Sequence, residues 1–577
     1  MRRILLSVMV GCWLAAVAGV AAAQDAKPVL TAAFAGYDEL FADLEYVGGL
    51  VDQPEMAKGL EAMLTMMTGG LGLDGLDKAK PWGAAMYLSG DEPRGFVFLP
   101  VKDMKKLLGA AAALGVQAGE PDDGVYEIEV PDQTVFAKQQ NGWAIVAMSK
   151  DDLALAPSDP LTLVGEMPKK YDFAVRGSVQ NVPRELRDLL AQQIRQGAEM
   201  GMVPMPDESQ EQFAARTAIA RKTIEQMVEA INDLDVVLLG VSIDRTARSA
   251  YLDVQVTAVA GSKTAAAFGE MVDATTDFAG FGLPGAAMTL QVASKLSDAD
   301  VAQAKEGIAA LRRQSLAELK NQGLPAADEQ TAEMVLTDLF DVLDKTIDAR
   351  KTDGGMIVML EPDSAALVVG GAVADGAKLE GALKTLIQQI AKEQPELAAG
   401  IKLDAETYQG VRFHQVTVPL PDDDDTAVVR QLVGESLEIV IGASDGSAYL
   451  SAGRDAAGLL KKVIDASKAE PAKKTPPMRM TIALGPILKT VAAAADDDQI
   501  GPMVEMLAGL LEQSTGKDHV NVSVRGIANG SVTRLELEEG ILRIIPTLGQ
   551  MMGAAGPGMP GAEGIELEMQ EAIPSPF

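Results

Sequence analysis

Two periodicities alternate along this chain. In "YEIEV" (Tyr126–Val130) and "LDVQV" (Leu252–Val256) apolar and polar residues alternate, the period of a strand with one buried and one partly wet face. In "VPRELRDLLAQQIRQGAEM", "SQEQFAARTAIARKTIEQMVEAI", "DADVAQAKEGIAALRRQSLAELKNQ" and "ADEQTAEMVLTDLFDVLDKTI" apolar residues return every three or four positions. That spacing predicts helices, here arranged as pairs joined by a Pro-rich tip or by "GLPA". Each pair stands between a short strand, such as "DFAVRGSV" or "AAMTLQVA", and a predicted hairpin.

The hairpins repeat. "WGAAMYLSGDEPRGFVFLPVKD" (Trp82–Asp103) lies without a gap over "GGMIVMLEPDSAALVVGGAVAD" (Gly354–Asp375). Asp103 and Asp375 stand as N-caps, whose carboxylates accept from free N–H groups at a helix start. "NGWAIVAMSKD" (Asn141–Asp151) matches "DGSAYLSAGRD" (Asp445–Asp455), and Asn-Gly and Asp-Gly predict turns because both residues tolerate positive φ. "GVYEIEVP" from Gly124 matches "GVRFHQVTVP" from Gly410, and "VSIDRTARSAYLDVQV" (Val241–Val256) lies over "VSVRGIANGSVTRLEL" (Val522–Leu537).

These matches predict an α+β protein with internally duplicated units of strand, helix pair, β-hairpin and helix. Its sheets are antiparallel with the helices packed on one face. The expected layout is a signal peptide (1–23), unit 1 (24–120), a β-meander (121–160), unit 2 (161–280) and unit 3 (281–400). A second meander (401–467), unit 4 with its linker (468–552) and a disordered Gly/Pro-rich tail (553–577) complete it.

Composition sharpens this. Arg2 and Arg3, an apolar run from Ile4 to Val20 and Ala21-Ala22-Ala23 form an export signal with cleavage after Ala23. The expected location is periplasmic or extracellular. The one cysteine, Cys12, lies inside that signal, so the mature chain would carry no disulfide, thiol nucleophile or zinc-thiolate site. Membrane association would need an uncleaved signal or lipidation of Cys12. The net charge of -32 argues against nucleic acid as a partner.

Candidate chemistry is thin. "GGLGLDG" (Gly69–Gly75) contains G-x-G-x-x-G, but between a helix and a strand, the reverse of a dinucleotide site. "GASDG" (Gly442–Gly446) contains G-x-S-x-G, but Ser444 precedes a strand, whereas a nucleophile elbow precedes a helix. His414 and His519 are the only histidines, and both are expected at solvent-facing strand positions. The acidic runs Asp422–Asp425 and Asp496–Asp498 lack the spacing of a calcium loop. Met200, Met202 and Met205 sit at one helix-pair tip, and no second tip repeats them. No catalytic, cofactor-binding or metal residue is therefore assigned, and no cofactor is expected.

The tandem hairpin, V-x-D and helix phrase behind a signal peptide resembles exported bacterial proteins of unknown function with α+β repeats. That resemblance implies fold and export but no activity. The expected function is an exported, non-enzymatic binding or scaffold protein with an unidentified protein or apolar small-molecule partner in the cell envelope. The alternatives are a carrier of an apolar ligand such as a lipid and a carboxylate-dependent hydrolase.

Overall fold

The computed structural model describes residues 27–554, apart from 91, 131–132, 205–209, 272–273, 424–425 and 495–499. The expected signal peptide with Cys12, Met205, Asp424, Asp425, Asp496–Asp498 and the chain beyond residue 554 lie outside the described residues.

The chain begins with β1 (Leu30–Phe34), the helix pair α1 (Tyr37–Leu50) and α2 (Met56–Met67), the hairpin β2 (Trp82–Ser89) and β3 (Glu92–Pro100), and α3 (Met104–Ala113). Then come β4 (Gln117–Ala118), β5 (Val125–Val130), β6 (Gln133–Gln140), β7 (Trp143–Ala147), a 3-10 turn (Asp151–Leu155), α4 (Leu161–Val164) and α5 (Met167–Lys170). Next are β8 (Phe173–Ser178), α6 (Arg184–Gly201), α7 (Gln210–Asp233), β9 (Leu234–Asp244), β10 (Ser249–Ala258) and α8 (Lys263–Gly269). β11 (Thr275–Thr276) and a 3-10 segment (Ala279–Gly282) lead to β12 (Met288–Lys295), α9 (Asp298–Asn321), α10 (Ala326–Asp348), β13 (Lys351–Glu361), β14 (Ser364–Ala372) and α11 (Gly376–Glu393). These are followed by α12 (Pro395–Ala398), β15 (Ile401–Tyr408), β16 (Val411–Pro419), α13 (Ala427–Val433), β17 (Ser436–Ala443), β18 (Ser447–Gly453), α14 (Ala456–Ala469) and β19 (Lys473–Lys474). The described chain closes with β20 (Met478–Ala483), α15 (Leu484–Ala494), α16 (Ile500–Glu512), β21 (His519–Ile527), β22 (Gly530–Glu538) and α17 (Glu539–Ala554).

Local chemistry sets several of these boundaries. Asp103 accepts from Lys106 N and Asp375 from Lys378 N, as their spacing predicts. Ser297 and Asp300 form a reciprocal capping box at the start of α9.

The fold is α+β, with one antiparallel sheet of 20 strands. From one edge, β4 pairs β5, then β6, β7, β3, β2, β1, β8, β9 and β10 follow in turn. β10 pairs β22, and the sheet continues through β21, β20, β12, β13, β14, β18, β17, β16 and β15. β11 and β19 form a separate short ladder.

The helices do not keep to one face, a correction to the expected architecture. Successive strand residues point to opposite sides. Val411 and Phe413 of β16 pack with Leu460 and Ile464 of α14, while Arg412 and His414 meet Glu380 of α11. Near the opposite edge, Phe98 of β3 packs with Val164 and Met167, while its neighbour Leu99 packs beside Met104 and Leu107 of α3. Helices therefore sandwich both ends of the sheet. In the middle, Val520 and Leu537 lie under Leu507, Leu511, Ile541 and Ile544 of α16 and α17. The same strands turn polar residues such as Asn521, Ser523 and Glu536 the other way. The expected wet face holds for Glu127 and Glu129, which are exposed, but not for Asp253, which is buried.

Candidate functional site

Cross-strand partners share a face, so the registers trace rows of side chains across the sheet. One row runs from Trp82 through Phe34, Phe173 and Val241 to Leu252 and Leu535. It continues from Val522 through Met480, Leu290, Met356 and Val369 to Leu450. Phe34 stacks on Trp82 with centroids 4.1 Å apart and meets Phe173 at 4.7 Å. From β2 to β17, no paired position on this face carries a charge.

Two stretches of this face are open. Leu239 and Val241 on β9 are 47% and 42% exposed, and Val369 and Leu450, directly paired on β14 and β18, are 41% and 46% exposed. Apolar side chains on interior strands are normally covered, so these open strips are the candidate site. The two strips are seven strand steps apart, roughly 34 Å at about 4.8 Å per step.

His414 is buried, contrary to expectation. A register break in β15 between Lys402 and Glu406, with Asp404 at φ 52, turns the Asp404 N–H onto His414 Nδ1 at 3.0 Å. Accepting at Nδ1 leaves the ring proton on Nε2, which lies 3.2 Å from Glu380 Oε1. Burial, and then the nearby Lys384 charge, hold the imidazole pKa below its ordinary value. Burial alone would raise the Glu380 pKa, but bonds from Arg412 (Nε–Oε2, 2.7 Å) and Lys384 (Nζ–Oε1, 2.9 Å) outweigh it and bring it to about 2.

Glu380, Asp404 and His414 have metal-ligand spacing. Lys384 already bridges Glu380 and Asp404, reaching Asp404 Oδ1 at 2.7 Å, so the site has its own cation. A metal does not fit beside that ammonium and a protonated Nε2. We expect Lys384→Met to lose about 2 kcal/mol in urea unfolding, whereas zinc or a chelator leaves the parent midpoint unchanged. A zinc-induced rise in the parent midpoint would contradict this assignment.

His519 is only partly exposed. Its Nδ1 is 2.8 Å from Glu538 Oε2 and 3.4 Å from Asp518 Oδ1. Glu538 also accepts the His519 N–H, and Asp518 accepts from Gly485 N. This arrangement orients one imidazole, with no nucleophile hydrogen-bonded to it among the described residues.

The G-x-G-x-x-G loop places Gly69, Gly70 and Gly72 at positive φ and lines a cleft of about 140 Å³. Lys78 in that cleft is paired with Glu61 at 3.0 Å. Ser444 Oγ lies 2.7 Å from Ser447 Oγ, with no histidine bonded to it. Asp422 pairs with Arg430, and Asp423 accepts from Thr426 N. Met200 and Met202 sit at the end of α6. Among the described residues no helix is long and apolar enough to cross a membrane.

Sequence reasoning missed the open strips. Alternation was visible in "DVVLLGVSI", but which strands lie side by side is set by long-range pairing. No protein family, curated protein or solved structure matches the chain.

Proposed function

We propose that the protein is an exported, non-enzymatic carrier that holds the acyl chains of a lipid against its uncharged sheet face. The exposure of Leu239, Val241, Val369 and Leu450 on interior strands carries this reading. Interior strands have no free backbone groups for a pairing peptide, so the face offers only apolar contact. The chain's negative charge disfavours an anionic headgroup. Ser444, His414 and His519 are bonded to Ser447, the Asp404 N–H and Glu538, contacts that fit a structural role for each within the carrier.

We also propose that the chain is two copies of one half, each holding two of the repeated units and a meander. Read outward from β10 and β22, one arm runs β9, β8, β1, β2, β3, β7, β6, β5 and β4. The other runs β21, β20, β12, β13, β14, β18, β17, β16 and β15. The matched sequence pairs fall at corresponding places in the two arms.

Fluorescently tagged diacylglycerol, a neutral probe, tests the carrier reading. Saturable binding to the parent is expected. Leu239→Asp and Leu450→Asp should each weaken it at least about tenfold, since a charge in an apolar site goes unpaired. Their melting temperatures should stay near the parent's, because both side chains are already half exposed. No saturable binding, or binding indifferent to both substitutions, sinks the carrier reading and turns the search to a protein partner.

A further inference from the structure

We infer that the β10–β22 seam is a dimer-type interface between the two halves, and that Asp253 and Arg534 dictate which half pairs with which. This rests on the duplication proposed above. The alignment of Val241–Val256 with Val522–Leu537 sets Asp253 on Arg534. In the seam these two equivalent residues are also direct cross-strand partners. The flanking pairs obey the same exchange: Ser249 faces Glu538, Thr257 faces Gly530, and the alignment sets Ser249 on Gly530 and Thr257 on Glu538. The hydrogen bonds that close the seam exchange likewise. Ala258 N donates to Asn529 O at 2.8 Å, and Glu539 N donates to Arg248 O at 3.0 Å. Arg248 and Asn529, equivalent turn residues, both sit at positive φ, 59° and 54°. An axis of exchange therefore passes between Asp253 and Arg534, the geometry of an isologous dimer.

On such an axis a residue meets its own counterpart. Two N-terminal halves would oppose Asp253 to Asp253, and two C-terminal halves Arg534 to Arg534. Asp253 is 0% exposed, so two aspartates there would stand out of water, and two arginines would face each other at a position only a quarter exposed. Only the mixed pairing makes the fork seen here, with Arg534 Nε and Nη2 at 2.7 and 2.8 Å from the two Asp253 oxygens. Tyr171 OH donates to Asp253 Oδ2 at 3.0 Å, Lys170 lies 3.4 Å from it, and the Arg534 guanidinium lies 3.8 Å over the Tyr251 ring. A symmetric dimer of identical chains has no means of placing an acid against a base on its axis, whereas a duplicated, fused chain does.

The test uses the whole chain with a site-specific protease sequence inserted after Met271. This lies beyond α8 and before Phe278 and Phe281, which pack in the core under α14. The nicked chain is mixed with an isotopically labelled copy and followed by native mass spectrometry. Nicked parent is expected to keep its circular dichroism and to exchange only into N-half–C-half pairs. Asp253→Leu or Arg534→Leu alone should weaken that pairing at least about 30-fold, because each removes the two-bond charged fork that crosses the seam. Arg248 and Glu539 also pair across the seam only in the mixed arrangement, so the double variant is made in an Arg248→Ala, Glu539→Gln background, where it should regain most of the affinity and also form N–N and C–C pairs. Strict N–C pairing in the double variant would overturn the inference. Collapse of the nicked parent's circular dichroism would instead overturn the two-body reading beneath it. Asp253→Asn, which keeps the side-chain shape, carries the comparison if a leucine variant does not fold.

Discussion

Gly376→Ala is expected to destabilise the protein by about 3 kcal/mol, as an overpacked contact with backbone does. Gly381→Ala, in the same helix, is expected to stabilise it by about 0.5–1 kcal/mol. Gly376 is the first residue of α11, and a Cβ there would land on the Ser444 carbonyl oxygen. No rotamer relieves a clash with backbone, so α11 must shift. Its start is pinned where Val373 N donates to Gly446 O and Gly376 N to Asp445 O, both at 3.1 Å. Shifting α11 also pulls Glu380 from Arg412 and Lys384 from Asp404. At Gly381 an added Cβ meets nothing within 4 Å, so only the helix-propensity gain remains. Urea midpoints of the two full-length variants should fall on opposite sides of the parent. Equal midpoints would mean that α11 rides freely over the turn.

The same contact shows what was legible in the sequence. The V-x-D phrase placed both caps, and Asp103 and Asp375 do cap α3 and α11. The residue after the cap differs, Met104 in one copy and Gly376 in the other, and the phrase alone gave no reason. The reason lies in the facing turns. Asn141 and Gly142 turn at φ 49 and 82, as Asn-Gly predicts. Asp445 and Gly446, aligned to them and expected to behave alike, turn without positive φ. That second turn brings the Ser444 carbonyl against the helix start, where only glycine fits.

Faces were harder to read than elements. Alternation says that a strand has two sides and leaves open what covers each. The covering of His414 comes from α11 and from a register break in a neighbouring strand, neither of which leaves a mark around His414 itself. Asp253 lies in a regular "LDVQV" pattern and reads as wet. It is dry because β22, far along the chain, lies beside it with Arg534 in register. The open apolar strips were hidden for the same reason, since local period is written in neighbouring residues and strand order is not.

Asp43→Asn is expected to stabilise the protein on the order of 3 kcal/mol at pH 8 and hardly at all at pH 4. Asp43 lies on α1, buried, with neither carboxylate oxygen accepting a hydrogen bond and Arg245 Nε 3.4 Å from Oδ1. Burial, then the charge of Asp172, push its pKa up to about 7. Arg245 opposes that rise and Glu39 adds to it. Asp172 is itself fixed by the Ile243 N–H at 2.6 Å, so it does not turn away. An unfolded aspartate ionises near pH 3.8. Between there and about pH 7 the folded chain holds a proton that the unfolded chain has released. Stability from this residue therefore falls as pH rises through that window, and the loss is complete above it. Glu380 and Glu539, with pKa values lowered to about 2, contribute stability that is lost only as pH falls below about 4.5. His414, its pKa depressed by burial, adds stability as pH rises toward 6.5, against the Asp43 trend. The parent's own curve mixes these terms, and the difference between variant and parent isolates Asp43. Urea midpoints measured from pH 4 to 8 should diverge through that window and run parallel above it. Curves parallel throughout would mean that Asp43 is ionised in the folded chain, with Arg245 and water meeting its charge.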